Sequence, residues 1–359
     1  MARREAETDQ PDAARPGPRT RTRRILILTG LGLALLLVTT AAAASLLYAR
    51  LDGNIRTDEA AARALAADHA SRPQALAPRA RNILLLGSDL ETVKDSERSD
   101  TTILLHLSAD RKSAAAVSVP RDLMVNIPSC LRPDGSRSRA QYAQFNWAFQ
   151  FGGAGCAIRT FEDLTGIRVD HHLVVSFTGF EEVIDAVGGV EVDVTEPVSE
   201  PEYGVTLQPG HQLVKGKEAL TFVRTRVGVS DGSDLQRIER QKQFVRSLYD
   251  KLRDAGTLSN PTRLWPLLDA ATSALTTDPG LESPGELFEL MSSAGKIPSD
   301  QVRIVTLPCV EDPQRWGNYQ MVEGQGQALL RALREDKPLP EHLYNAYRPD
   351  GRPSTEAAP

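Results

Sequence analysis

The sequence predicts an α/β fold, a central sheet covered by helices on both faces, behind one transmembrane helix. Three observations carry that expectation. Short apolar runs end abruptly in Gly, Ser or Asp. Apolar stripes at helical spacing lie between them. The two kinds of segment alternate along the chain.

Residues 1–24 are polar, rich in Arg and Pro, and lack an apolar period, so they read as a disordered cytoplasmic tail. Residues 25–48, ILILTGLGLALLLVTTAAAASLLY, carry no charge. As a helix, about 24 residues reach about 36 Å, enough to cross a hydrocarbon core of roughly 30 Å. Arg19, Arg21, Arg23 and Arg24 precede the span, which places the N-terminus inside and the remainder outside the cytoplasmic membrane. Ala42-Ala43-Ala44 resembles a signal-peptidase site and Arg23-Arg24 a twin-arginine signal. The span exceeds a usual signal-peptide core, so an uncleaved single-pass anchor is the expectation. Residues 49–78 are Ala-rich and read as a stalk or linker. Residues 79–335 read as the extracytoplasmic domain, and the Pro-rich stretch 336–359 as a flexible tail.

Within the domain, Asn82–Leu86, Thr101–Ser108 and Ala114–Val119 predict strands, with Ala109-Asp110-Arg111-Lys112 as a turn. Ile158, Phe161 and Leu164 recur at helical spacing before a Gly166 stop. His172–Ser176 predicts a strand. Phe177, Phe180, Ile184 and Val187 then form a helical stripe closed by Gly188-Gly189, and Val190–Val194 alternates like a strand. A helix is expected from Leu235 to Leu252 with Asp234 as its cap, more helix between Leu258 and Gly295, and a late strand at Val302–Leu307.

Composition excludes some functions. Against 47 acidic residues stand 42 Lys and Arg, so 42 − 47 = −5, a poor balance for nucleic-acid binding. Aromatics at 5% are too sparse for base-stacking platforms. Three cysteines without a C-x-x-C pair offer neither a disulfide scaffold nor a zinc site. All three follow the span and so face an oxidising side. Cys130 and Cys156 flank one loop-and-helix segment and are the preferred disulfide, although pairing of either with Cys309 stays open.

Polar clusters stand at strand ends and at one helix start: Gly87-Ser88-Asp89, Arg98-Ser99-Asp100-Thr101, Pro120-Arg121-Asp122, Arg224-Thr225-Arg226, and Asp234 with Arg237, Arg240 and Gln241. Strand ends of open α/β sheets are where ligands bind. Arg98 and Asp100 share a face in extended chain, as do Arg224 and Arg226, while Arg237, Arg240 and Gln241 share a helix face. A single such charge is most often a solvated surface group. Guanidinium groups aimed at one place repel unless an anion joins them, and their planar forks fit phosphate oxygens. The carboxylates Asp89 and Asp100 would suit Mg²⁺, which takes a few carboxylates together with phosphate oxygens and water. Together these features suggest a diphosphate site.

The segments NILLLGSD, RSDTTILLHL, AVSVPRDLMVNIP, NWAFQFGG, LTGIRVDHHLVVSFTGFEEVIDAVGGVEV, ALTFVRTR and SDLQRIERQ occur in this order and resemble the LytR-CpsA-Psr family. The resemblance implies an α/β/α sandwich with a central mixed sheet and a hydrophobic channel for a lipid chain. It implies a phosphotransferase that moves a glycopolymer from a polyprenyl-diphosphate carrier to peptidoglycan at the cytoplasmic membrane, with Mg²⁺ or alternatively Mn²⁺. By motif, Asp89 and Asp100 would be the metal ligands. Arg98, Arg121, Arg224, Arg226, Arg237, Arg240 and Gln241 would hold the diphosphate. Arg98, Asp100, Arg121 and Asp234 would be catalytic, and Asp122 would support Arg121. Two departures from the family pattern concern positioning: Leu90-Glu91-Thr92 follows the first Asp where an Arg is frequent, and Gln236 stands where Gly is frequent. Candidate channel walls include Phe145, Trp147, Phe149, Phe177, Phe180, Ile184 and Val187, although a Phe stripe at helical spacing is more often plain core. Rival expectations are a lipid-diphosphate hydrolase, a membrane-bound transcriptional regulator and a noncatalytic glycan-binding module. The regulator conflicts with the expected topology, and the paired aspartates are what the glycan-binding module leaves unexplained.

Overall fold

A computed structural model describes residues 18–88, 99–201, 204–225, 234–254 and 261–344. Contacts divide the chain into two units, one up to Arg50 and one from Leu51 onward. The first unit contains most of helix α1 (Pro18–Asn54), which begins before the expected span and outlasts it. Its stretch from Leu26 is long and apolar enough to cross a membrane, and its large side chains from Leu26 to Tyr48 are exposed.

The second unit is built on seven strands: β1 (Arg56–Thr57), β2 (Arg81–Ser88), β3 (Ser99–Leu107), β4 (Ala114–Val119), β5 (His171–Ser176), β6 (Leu275–Thr277) and β7 (Val302–Thr306). Their order is β1-β6-β5-β2-β3-β4-β7. The sheet is mixed: β5 runs parallel to β2 and β7 to β4, whereas β3 is antiparallel to both of its neighbours.

Alternation along the strands builds two cores. Leu84, Leu86, Leu104 and Val117 face one cluster that also holds Phe161 of α3 (Trp147–Thr165) and Leu329 of α9 (Glu323–Arg334). Ile83, Leu85, Leu105 and Ile304 point the other way. They meet Tyr249 of α6 (Asp234–Asp254) and Leu290 of α8 (Pro284–Gly295). The result is helix–sheet–helix layering. A third cluster packs α4 (Phe177–Val187), α5 (Gly216–Arg224) and α6 around Val190, Val192, Phe222 and Phe244. Gly179 lets α4 approach α7 (Pro261–Ala274), because a Cβ there would lie 2.6 Å from the Ala274 Cβ.

Several expectations need correcting. Residues 49–78 are no free stalk. Ala61 and Ala64 of α2 (Glu59–Ala67) are buried, and Arg56–Thr57 enters the sheet as β1. Arg72 clasps the fully buried Glu162 of α3 through Nε–Oε2 and Nη2–Oε1 bonds of 2.9 and 2.7 Å. At the other end, residues 336–344 are not loose: Leu339 and Leu343 pack on the main core, and Asp336 accepts from the Ala109 N–H at 3.0 Å. The helix expected between Leu258 and Gly295 is present as α7 and α8, with the unexpected strand β6 between them. Phe145 and Phe149 are buried in the α3 core, whereas Phe180 and Ile184 belong to the cluster around α6. The proposed channel residues therefore form no single wall.

Cys130 and Cys156 form the disulfide, and Cys309 is not in one. Gly152-Gly153 kinks α3 beside it, since a Cβ on Gly152 would meet both cysteine Cβ atoms at 3.0 and 3.2 Å. Replacing both cysteines by Ser should cost about 3 kcal/mol, read as a lower urea midpoint under oxidising conditions.

His106 is buried between Asn82 and Asp336, with ring-nitrogen contacts of 2.8 and 3.0 Å. Burial pushes its pKa below the usual histidine value, and the bond to Asp336 offsets this only in part. The unfolded chain therefore takes up the proton first. Stability from this group is fully present above about pH 6.5 and is lost as pH falls through the lower folded value. Denaturant unfolding between pH 7.5 and pH 5 should show this loss, and His106→Gln should flatten it.

Candidate active site

The carboxyl ends of β2, β4 and β5 lie at one end of the sheet, where the registers pair Gly87 with Thr101 and Val175, and Thr102 with Val119. Antiparallel β3 begins there. Each strand leaves its apolar run at this end: β2 at Ser88, β4 at Pro120-Arg121, and β5 at Ser176, whose hydroxyl caps α4 by accepting from the Gly179 N–H at 3.1 Å. Residues up to 120 positions apart in the chain are thereby drawn to one edge, from Arg121 to Arg224 and Gln241.

Asp100 is the hub of the described residues. Its carboxylate pairs with the Arg121 guanidinium, and its main-chain carbonyl accepts from Arg237 Nη2 at 3.2 Å. Arg121 Nε also lies 3.4 Å from Asp122 Oδ2. Asp122 is fixed in turn by Gln144 Nε2 at 3.1 Å, and the Arg121 carbonyl accepts from the Asn146 N–H at 3.1 Å. Next to the hub, Gln241 Nε2 bridges Thr101 Oγ1 and the Val223 carbonyl at 3.1 and 3.0 Å, tying β3, α5 and α6 together.

The other arginines divide. Arg224 lies over the Phe177 ring at 4.7 Å, just past the end of β5. This is cation–π distance, and the ring orients the guanidinium. Arg240 turns away. Its Nε donates to the Phe222 carbonyl at 2.9 Å and its Nη2 to the Thr225 carbonyl, so it caps the C-terminal end of α5. Burial pulls its pKa below the usual arginine value, though a guanidinium stays charged at any physiological pH. Arg237 is 3% exposed and braces β3. The described bonds of Arg237, Arg240 and Gln241 go to the protein frame. Arg121 and Arg224 are the half-buried cations at the edge.

Asp89, Arg98 and Arg226 lie outside the described residues, as does the side chain of Asp234, whose backbone opens α6. Among the described residues no group of three metal-ligating side chains stands together. The donor chemistry at the sheet end still suits a hard cation. The Asp100 carboxylate and the fully buried Ser88 hydroxyl, which has no partner among the described residues, are both oxygen donors. Sequence reasoning missed the roles of Thr101, Gln144 and Phe177, because each acts through a partner remote in sequence and carries no local signal.

Replacing Arg240 with Ala should leave the buried ends of α5 unsatisfied and cost about 1–3 kcal/mol of stability, seen as a lowered denaturant midpoint.

The chain is similar to known proteins in sequence and in fold. The family model described as LytR_cpsA_psr matches residues 48–337. The cell wall biosynthesis protein LcpA of Corynebacterium glutamicum is 31% identical over 269 residues, covering 69% of this chain and 51% of its own length. The polyisoprenyl-teichoic acid–peptidoglycan teichoic acid transferase TagT of Bacillus subtilis is 32% identical, covering 62% of this chain and 67% of its own length. A LytR-Csp2A-Psr enzyme from Actinomyces oris superposes with a TM-score of 0.59 at 23% identity, over 79% of this chain and 96% of that one. That likeness concerns the fold. The chain spans about half the length of LcpA.

Proposed function

This chain belongs to the LytR-CpsA-Psr family, and on that footing we propose that it is a membrane-anchored phosphotransferase. In this reading it transfers a glycopolymer from a polyprenyl-diphosphate carrier to peptidoglycan. The observation that carries the reading is the gathering of Asp100, Arg121, Arg224 and Arg237 at one sheet end. TagT, a relative named for the same kind of transfer, supports the reaction class. The apolar helix α1 supports anchoring in the cytoplasmic membrane, with the basic flank inside and the domain outside.

Catalysis of this kind rests on positioning and charge. Arg121 and Arg224 would take the diphosphate oxygens, the first oriented by Asp100 and Asp122 and the second by the Phe177 ring. Arg237, Arg240 and Gln241 would keep β3, α5 and α6 in register around them, acting through the frame. A peptidoglycan hydroxyl attacks the phosphorus that bears the glycan. The new P–O bond forms as the bond to the bridging oxygen breaks, and polyprenyl phosphate leaves with that oxygen. The hydroxyl proton needs an acceptor. Asp100 is engaged by Arg121, which leaves Asp234 at the start of α6 as the base candidate. A Mg²⁺ ion held by Asp100, with Asp89 as second ligand, would neutralise phosphate charge as it builds.

The test uses the full-length protein in detergent, a purified lipid-linked glycan diphosphate and peptidoglycan. Wild type should yield a glycan–peptidoglycan phosphodiester, and Arg121→Ala should be slower by at least about 10²-fold while still folded. Wild-type rates in that variant would overturn the arginine's role. Release of free glycan phosphate at the same rate with and without peptidoglycan would make the protein a hydrolase instead.

A further inference from the structure

A groove of about 530 Å³, within the size range of small-ligand sites, opens on the α3 side of the domain. It runs along the strand pair of Met124–Ile127 and Gln141–Gln144, whose Met124/Gln144 end is tied to the Arg121 loop. Ile127, Leu164 and Met321 line it as apolar surface. Asn126, Gln141 and Gln327 line it with planar amides that make no side-chain hydrogen bond to the described residues. Tyr142 is exposed beside them, with Arg315 stacked 5.1 Å from its ring centre, and the next residue, Trp316, is 93% exposed.

We propose that this groove binds the glycan strand of peptidoglycan, the acceptor of the transfer reaction. The proposal rests on the phosphotransferase reading for its occupant, and on the groove's own chemistry for its binding class. A pyranose ring is amphipathic: its C–H face packs on aromatic and apolar side chains, while its hydroxyl and acetamido edges need planar donors and acceptors. Apolar lining, free amides and an exposed tyrosine supply both. The lining carries the carboxylates Asp163 and Glu323 and no Lys or Arg, which disfavours a phosphate-rich polymer there. Asp163 is paired with Arg159 at 3.0 Å, so Glu323 is the uncompensated charge. Five residues separate Arg121 from Asn126, at most about 16 Å, a separation that a strand several sugars long can bridge.

The experiment measures binding of a peptide-free tetrasaccharide of alternating N-acetylglucosamine and N-acetylmuramic acid to the full-length protein in detergent, by calorimetry. Wild type should bind it, and Tyr142→Ala and Gln327→Ala should each weaken binding at least tenfold with unchanged thermal unfolding. Arg121→Ala should bind the tetrasaccharide like wild type even though it fails in transfer, which separates this groove from the phosphotransferase site. The proposal is overturned if wild type does not bind the tetrasaccharide, if both groove variants bind it like wild type, or if poly(glycerol phosphate) binds more tightly than the tetrasaccharide. None of these outcomes alters the transfer test above.

Discussion

Asp100 holds two cations at the mouth of the sheet by two different atoms. Its carboxylate takes Arg121 and its carbonyl takes Arg237. Arginines brought together this closely repel unless an acceptor lies between them, so the first residues of β3 decide whether the site can form. A half-buried ion pair adds little net stability, because desolvation offsets the attraction. Its value here is positional: it fixes one guanidinium while leaving part of its fork open to an anion.

The frame around that hub is built from ordinary parts. Arg240 and Gln241, one α6 turn beyond Arg237, satisfy carbonyls at the end of α5, which places Arg224 over Phe177. The packing of α4, α5 and α6 sits behind them as a core of its own. The loop after β4 is held from the opposite side, where Gln144 bridges Asp122 and Asn318 at 3.1 and 2.8 Å. The same strand pair that steadies Arg121 forms one wall of the glycan groove, so acceptor binding and phosphate positioning share a rigid element.

Much of the fold was legible in the sequence, because strands buried on both faces read as continuous apolar runs and helix ends carry Gly. Gly166 and Gly188 end α3 and α4 in left-handed conformation, as expected. The short strands β1 and β6 were missed: with two and three residues they do not show a period, and tertiary pairing alone defines them. The domain edges were drawn too tightly for a similar reason. Ala61, Ala64 and Asp336 look like linker residues until the buried groups they meet are known. At the site, spacing placed Arg237, Arg240 and Gln241 on one helix, α6, while the carbonyls they bond to, being remote in sequence, carry no local signal. A guanidinium suits a carbonyl as well as a phosphate, and only the position of α5 decides between them.

The central claim is that Asp100 and Arg121 hold one half of a diphosphate cradle. Phosphorus NMR of geranyl diphosphate titrated with the full-length protein in detergent tests it most directly. Both phosphorus resonances should shift with wild type, and the shifts should vanish with Arg121→Ala and shrink with Asp100→Asn. Identical shifts for wild type and both variants would contradict the account.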